Sequence, residues 1–176
     1  MNAPTTRDLI LDAAQERVRR GGYNGFSFRD LAQDVGIKSA SIHHHFPTKE
    51  QLVATLSARY TDTIRDALDA MPAGRARIAA YRAMFRGALS DELIMCMCGL
   101  LGAESLGLPP SVAIEQRRFF DLLVTDLAAA LAGETERPNQ AARAIVAQLE
   151  GGMLLARAYG DVSAYDDATA RLEALL

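Results

Sequence analysis

Two cysteines, Cys96 and Cys98, are the whole thiol complement of this 176-residue chain. They cannot build a disulfide framework, and they lack the spacing of a zinc site. No stretch of about 20 apolar residues occurs, so no membrane span is expected. The start, Met1 to Arg7, leads into an amphipathic segment and not an apolar one, which does not read as a signal peptide. A cytoplasmic location is the expectation. Strand signals are nearly missing too: no period-two runs of Val, Ile and Thr, and no Asn-Gly hairpin turn with alternating flanks. Nor is there a Gly-rich phosphate loop, a nucleophile elbow, a metal motif or a clustered acid–base set. These absences remove the disulfide scaffold, the membrane protein, the β fold and the commoner enzymes. Neither catalysis nor a cofactor is expected.

What is present is a chain that is 49% hydrophobic, enough for one medium core or two smaller units. Its net charge of −3 is unevenly spread. Residues 1–60 hold 8 Lys and Arg against 6 Asp and Glu, a balance of +2; the remainder holds 11 against 16, a balance of −5. All three histidines fall in the first part. A mildly basic head on an acidic body fits a protein that meets DNA at one end.

Helical periods run through the chain. Thr5 with Asp8 forms a cap, Ile10, Ala13, Ala14 and Val18 share one face, and Gly21-Gly22 stops the helix. Ser27 with Asp30 repeats that logic for a short helix carrying Leu31, Ala32 and Val35. A third short helix covers Ser39 to His45, and Thr48 with Gln51 opens a long one with Leu52, Leu56, Tyr60, Ile64 and Leu68 inward. Pro72-Ala73-Gly74 is the next break. Helices are then expected around Ile78 to Leu89, through the apolar stretch Leu93 to Leu106, from Ser111 to Leu131, from Gln140 to Tyr159 and from Ser163 to Leu175. About nine helices and no strands make an all-α protein.

The segment from Phe28 to Phe46 satisfies the steric demands of a helix-turn-helix. Ala32 is small where two helices cross, Gly36 can take the positive φ of the turn, and Leu31, Val35, Ile37, Ile42 and Phe46 are apolar where a small core needs them. With Ile42 inward, a step of about 100° per residue turns Ala40 and His44 outward, flanked by Ser41 and His43. That face is small and polar, suited to a major groove. Arg29 points outward from the preceding helix, and Lys49, in the first turn of the next, is placed for a phosphate. His43, His44 and His45 are successive, so they splay about 100° apart and cannot converge on one metal ion.

Phe26-Ser-Phe-Arg-Asp-Leu-Ala, Val35-Gly-Ile and Ile42-His-His-His-Phe-Pro-Thr-Lys-Glu-Gln-Leu52 resemble the DNA-binding domain of the TetR/AcrR family of regulators. The resemblance covers residues 7–56. It implies base contacts from Arg29, Ser39, Ala40 and His43, and backbone contacts from Ser41, His44, His45 and Lys49. Lys38, which joins this set, stands where the family often has Ser, and His43 where it often has Tyr; the first is expected to move the helix cap to a neighbour. The resemblance also implies a homodimer on operator DNA and a small-molecule effector. The expected division is residues 1–48 for DNA and residues 49–176 for effector binding and dimerisation.

In the second part, Met95 and the rest of the apolar stretch up to Glu104 read as core or as a pocket wall, since Met side chains adapt to many shapes. Tyr81, Phe85, Met95, Cys96, Glu104 and Phe120 are the candidate effector contacts. An alternative makes Cys96 and Cys98 a redox or electrophile switch, although residues two apart on a helix point about 200° away from each other. A purely protein-binding helical adaptor would explain this half but not the helix-turn-helix. Ile145, Leu149, Gly152 and Met153, with Leu172 after them, are the candidate dimer interface, because Gly151-Gly152 within a helix costs about 1 kcal/mol per residue and close approach of a partner helix would offset it.

Overall fold

The computed structural model describes residues 3–89 and 92–175. Among them are nine α-helices and no strand: α1 (Thr6–Gly21), α2 (Phe28–Val35), α3 (Ser39–His45), α4 (Lys49–Asp69), α5 (Ala76–Ala88), α6 (Met97–Ala103), α7 (Pro110–Ala130), α8 (Pro138–Tyr159) and α9 (Ser163–Thr169). No helix among the described residues is long and apolar enough to cross a membrane.

The ends of these helices follow local chemistry. Thr5 Oγ1 accepts from the Asp8 amide at 3.2 Å while the Asp8 carboxylate accepts from the Thr5 amide at 3.0 Å. Ser27 and Asp30 form the same reciprocal box ahead of α2. Gly36, at φ +74 and ψ 32, closes α2 in the left-handed conformation that the tight turn into α3 requires.

Contacts gather the chain into two compact units. The first comprises Met1–Thr61 with Met97–Arg117, the second Asp62–Cys96 with Arg118–Leu176. The first is built on Ile10, Leu11, Val18, Leu31, Ile42, Phe46, Leu52 and Leu56, all buried, together with Met97, Cys98 and Leu101 of α6. The second is built on Ile78, Tyr81, Phe119, Leu123, Leu127, Ile145, Leu149, Met153 and Tyr165.

Several elements differ from the sequence reading. The apolar stretch from Leu93 is not one helix: residues 93–96 lie outside any helix, Leu93 has φ +52, and α6 starts only at Met97. Cys96 and Cys98 therefore do not share a helix; both are buried thiols outside any disulfide. In α7 Phe119 takes the core position, and Phe120 is half-buried. The last helix is α9, which stops at Thr169, followed by a 3-10 turn from Leu172 to Leu175.

The candidate dimer residues are already used within the chain. Ile145, Leu149, Gly152, Met153 and Leu172 are all buried in their own subunit. A Cβ on Gly152 would stand 3.0 Å from Tyr165 Cδ2 and 3.1 Å from Thr169 Cγ2, both on α9. The missing side chain thus lets α9 approach α8 of the same chain, and this corrects the expectation of a partner helix there.

Candidate nucleic-acid interface

The first three helices form a head in which α2 packs against α1 and, across the turn at Gly36, against α3. Arg17 of α1 grips Asp34 of α2 with two bonds, Nε to Oδ2 at 2.7 Å and a terminal nitrogen to Oδ1 at 2.8 Å. That pairing holds the Asp34 carboxylate below its usual pKa. The α3 helix is pinned from beneath by Ile42, which is fully buried, and by Phe46 at its end. The Arg7 guanidinium lies 5.0 Å from the centre of the Phe46 ring.

Pinning one side exposes the other. Lys38, Ser39, Ala40, His43 and His44 are exposed, while Ser41 and His45 are half-buried. Arg29 is exposed on α2. The rings of Phe28 and His43 meet edge to face at 4.8 Å, which fixes the imidazole at the middle of the exposed surface. The result is one short helix offering small and polar groups, flanked by an arginine from its neighbour. Lys38 itself is the N-cap residue of α3 and makes no side-chain cap bond, so the cap has not moved to a neighbour as expected.

Lys49 departs from its assigned role. Its ammonium is turned onto its own domain, donating to the carbonyl of Phe26 and lying 4.2 Å from the centre of the Phe26 ring and 5.1 Å from that of Tyr23. Desolvation lowers its pKa, opposed by the charges of Asp30 and Glu104. This geometry removes Lys49 from the set offered to a phosphate and makes it a tie between α4 and the α1–α2 connection. Lys49→Ala is therefore expected to lower stability by about 1–2 kcal/mol through the lost bond and ring contacts. The slope of log affinity against log salt should stay at the wild-type value; urea unfolding and a salt series of binding curves check the two halves. A slope reduced by about one would return Lys49 to the phosphate contacts.

Glu104 also has a different place from the one expected. It belongs to the first unit, after α6, where its Oε2 accepts from the Tyr23 amide at 2.8 Å. Gly22, at φ +71, has no side chain because a Cβ would stand 2.0 Å from Glu104 Oε1. Glu104 is thus a fastening between α6 and the turn after α1. Sequence reasoning had Gly21-Gly22 as a helix stop and missed this partner, 81 residues away. In the second unit, Tyr81, Phe85, Met95 and Cys96 are buried and Phe120 half-buried. The Tyr81 hydroxyl is already committed, donating to Asp126 Oδ2 at 2.7 Å.

A recognition helix held polar face outward over a helix-turn-helix defines a DNA-binding regulator. Residues 10–56 match the family model described as bacterial regulatory proteins, tetR family. A TetR-family transcriptional regulator from Agrobacterium tumefaciens is 34% identical, with 96% of each chain covered and a TM-score of 0.90. A TetR transcriptional regulator from Legionella pneumophila is 30% identical over 100% of both chains, with a TM-score of 0.92. The HTH-type transcriptional regulator BetI of Agrobacterium fabrum is 32% identical over 69 residues, which are 39% of this chain and 34% of that protein. The chain thus matches about a third of the length of this curated relative. The chain belongs to the TetR family of transcriptional regulators.

Proposed function

We propose that this protein binds operator DNA as a homodimer in the cytoplasm, represses transcription there without any catalytic activity, and is released by a small-molecule effector. Residues 1–48 bind the DNA in this reading, and residues 49–176 take the effector and dimerise. The observation that carries it is the exposed polar face of α3 held by buried Ile42 and Phe46. Ser39, Ala40 and His43 meet base edges with Arg29 beside them; Lys38, Ser41, His44 and His45 lie against the backbone. A family likeness to regulators over nearly the whole chain supports the same reading.

Dimerisation is assigned to a different face of α8 from the one first expected. Leu154, 59% exposed, shares a stripe with Ala147, Gly151 and Ala158, and Leu155 and Tyr159 flank it. Such a stripe, small and apolar at three- and four-residue spacing, suits the same stripe of a second copy. The effector is a small, largely apolar molecule held in the second unit, and α4, continuous from Lys49 to Asp69, carries its signal to the head.

A gel shift with fragments upstream of the chain's own gene tests the DNA reading. Arg29→Ala and His43→Ala are each expected to cost about 1–3 kcal/mol and to relax choice at one base pair. If both variants bind the selected site like wild type, the docking of α3 is wrong. The cysteine-switch reading has less support. Both thiols are buried, and Cys96 lies beside the carboxyl of Glu150.

A further inference from the structure

Among the described residues of the second unit, Glu150 is the least satisfied group. It lies on α8 among buried residues, flanked along the helix by Val146, Leu149 and Met153. Both carboxyl oxygens are buried without a hydrogen-bond partner of good geometry. Burial pushes its pKa up to about 7, and the Cys96 thiol beside it pulls weakly the other way. A thiol is a poor donor and does not satisfy two carboxyl oxygens. Three arginines of the same unit are engaged elsewhere: Arg77 with Asp126, Arg82 with Thr169, and Arg86 with Asp166.

Such a group costs stability, so an offsetting use is expected. A core position would be better served by Leu or Met. The unused capacity is that of an acid, two buried oxygens with the Cys96 thiol beside them. What it lacks is a cation or a strong donor. We propose that Glu150, with Cys96 beside it, is the polar end of a binding site for a small organic cation, an ammonium or amidinium on an apolar body. This rests on the effector reading above and gives that effector its chemical class.

The surroundings set the rest of the ligand. Cys96 belongs to residues 93–96, which lie outside any helix, so this flank can yield without breaking one. Met95 in the same segment has an unbranched thioether that adapts to the shape of an apolar body. A metal ion is a poorer fit, since no group of three or more His, Cys, Asp or Glu gathers for one among the described residues. The titratable groups facing Glu150 are Cys96 from this segment and Tyr165 from α9. Burial raises the Tyr165 phenol, and its hydroxyl donates to the Arg82 carbonyl at 2.8 Å, so it stays neutral. Binding a cation then ionises Glu150, and the carboxyl proton leaves to solvent. Affinity for a permanently protonated amine must rise with pH through neutrality.

The test uses the full chain with n-octylamine and benzylamine, against 1-octanol and benzyl alcohol of the same shape without the charge. Calorimetry is expected to give binding of the amines to wild type at least about tenfold tighter than of the alcohols, a difference of about 1.4 kcal/mol. Glu150→Gln should remove that preference while still binding the alcohols. Wild-type affinity for octylamine should rise severalfold from about pH 6 to about pH 8, with a proton released, and that of Glu150→Gln should not. Equal binding of amine and alcohol, an unchanged preference in Glu150→Gln, or no amine binding at millimolar concentration overturns the proposal. A gel shift in the presence of the amines is read separately. Glu150-dependent binding without operator release upholds the cation site and overturns its role as effector site.

Discussion

Leu154→Arg is expected to give a folded, helical monomer whose operator affinity is about a thousandfold or more below that of wild type. A single helix-turn-helix reaches one half-site, whereas a dimer presents two recognition helices about 34 Å or a multiple apart. Leu154 suits this test because its side chain is 59% exposed, so an arginine there has room and solvent in the single subunit. The charge would meet its own copy across a two-fold axis, where each arginine is desolvated and repelled. Sedimentation of the variant beside wild type reads the assembly, and circular dichroism reads the fold.

Gly152→Arg is the contrasting variant. Its new Cβ runs into Tyr165 and Thr169, and Tyr165 is held by its bond to Arg82. Loss of about 3 kcal/mol and a detached α9 are expected, not a clean monomer. A dimer of unchanged strength in Leu154→Arg would place the interface away from this stripe. A stable, monomeric Gly152→Arg would return the interface to the face first expected from the sequence.

Asp126→Ala is expected to cost about 3–5 kcal/mol. The carboxylate is a shared acceptor. Arg77 donates to it twice, at 2.7 and 2.6 Å, and the Tyr81 hydroxyl once, at 2.7 Å. The same guanidinium reaches the carbonyls of Leu68 at 2.7 Å, Met71 at 3.2 Å and Pro72 at 3.1 Å, closing the C-terminal end of α4. The Asp126 bond holds the Arg77 guanidinium in its charged form, and burial raises the Tyr81 phenol.

Removing the carboxylate therefore leaves a half-buried cation without its counter-charge and a buried hydroxyl with only the long 3.4 Å bond to the Leu123 carbonyl. Asp126→Asn keeps one acceptor oxygen and should cost about half as much, because the charge is lost but the shape is kept. Urea midpoints of the two variants and wild type check the order. Equal loss in both would mean that charge pairing, and not the hydrogen bonds, fixes the end of α4. A loss below about 1 kcal/mol in Asp126→Ala would mean that the arginine finds solvent instead.

Local rules were enough for much of this. Thr5, Asp8, Ser27 and Asp30 announce two helix starts, and Gly36 announces the turn, because caps and positive φ depend on atoms a few residues apart. The all-α class and the polar outward face of α3 follow from the helical period, which burial of Ile42 and Phe46 respects. The sequence by itself also determined the family resemblance, since the helix-turn-helix packs its whole pattern into fewer than twenty residues.

What only the tertiary structure decided involves partners far apart in the chain. Lys49 has an ordinary phosphate-facing position until the Phe26 carbonyl is found, 23 residues away, accepting a hydrogen bond from it. Glu104 looked like an acid at the end of an oily helix, and the Tyr23 amide gives it a use. Gly152 asked for a close neighbour, but periodicity cannot say whether that neighbour is α9 of the same chain or α8 of another. The apolar run after Leu93 carried no signal that its first four residues would stay outside a helix, because composition fixes burial and not backbone hydrogen bonding. Glu150 shows the same limit most sharply. One acid within α8 reads as a solvated face by sequence, and only the tertiary packing reveals that both its oxygens are buried.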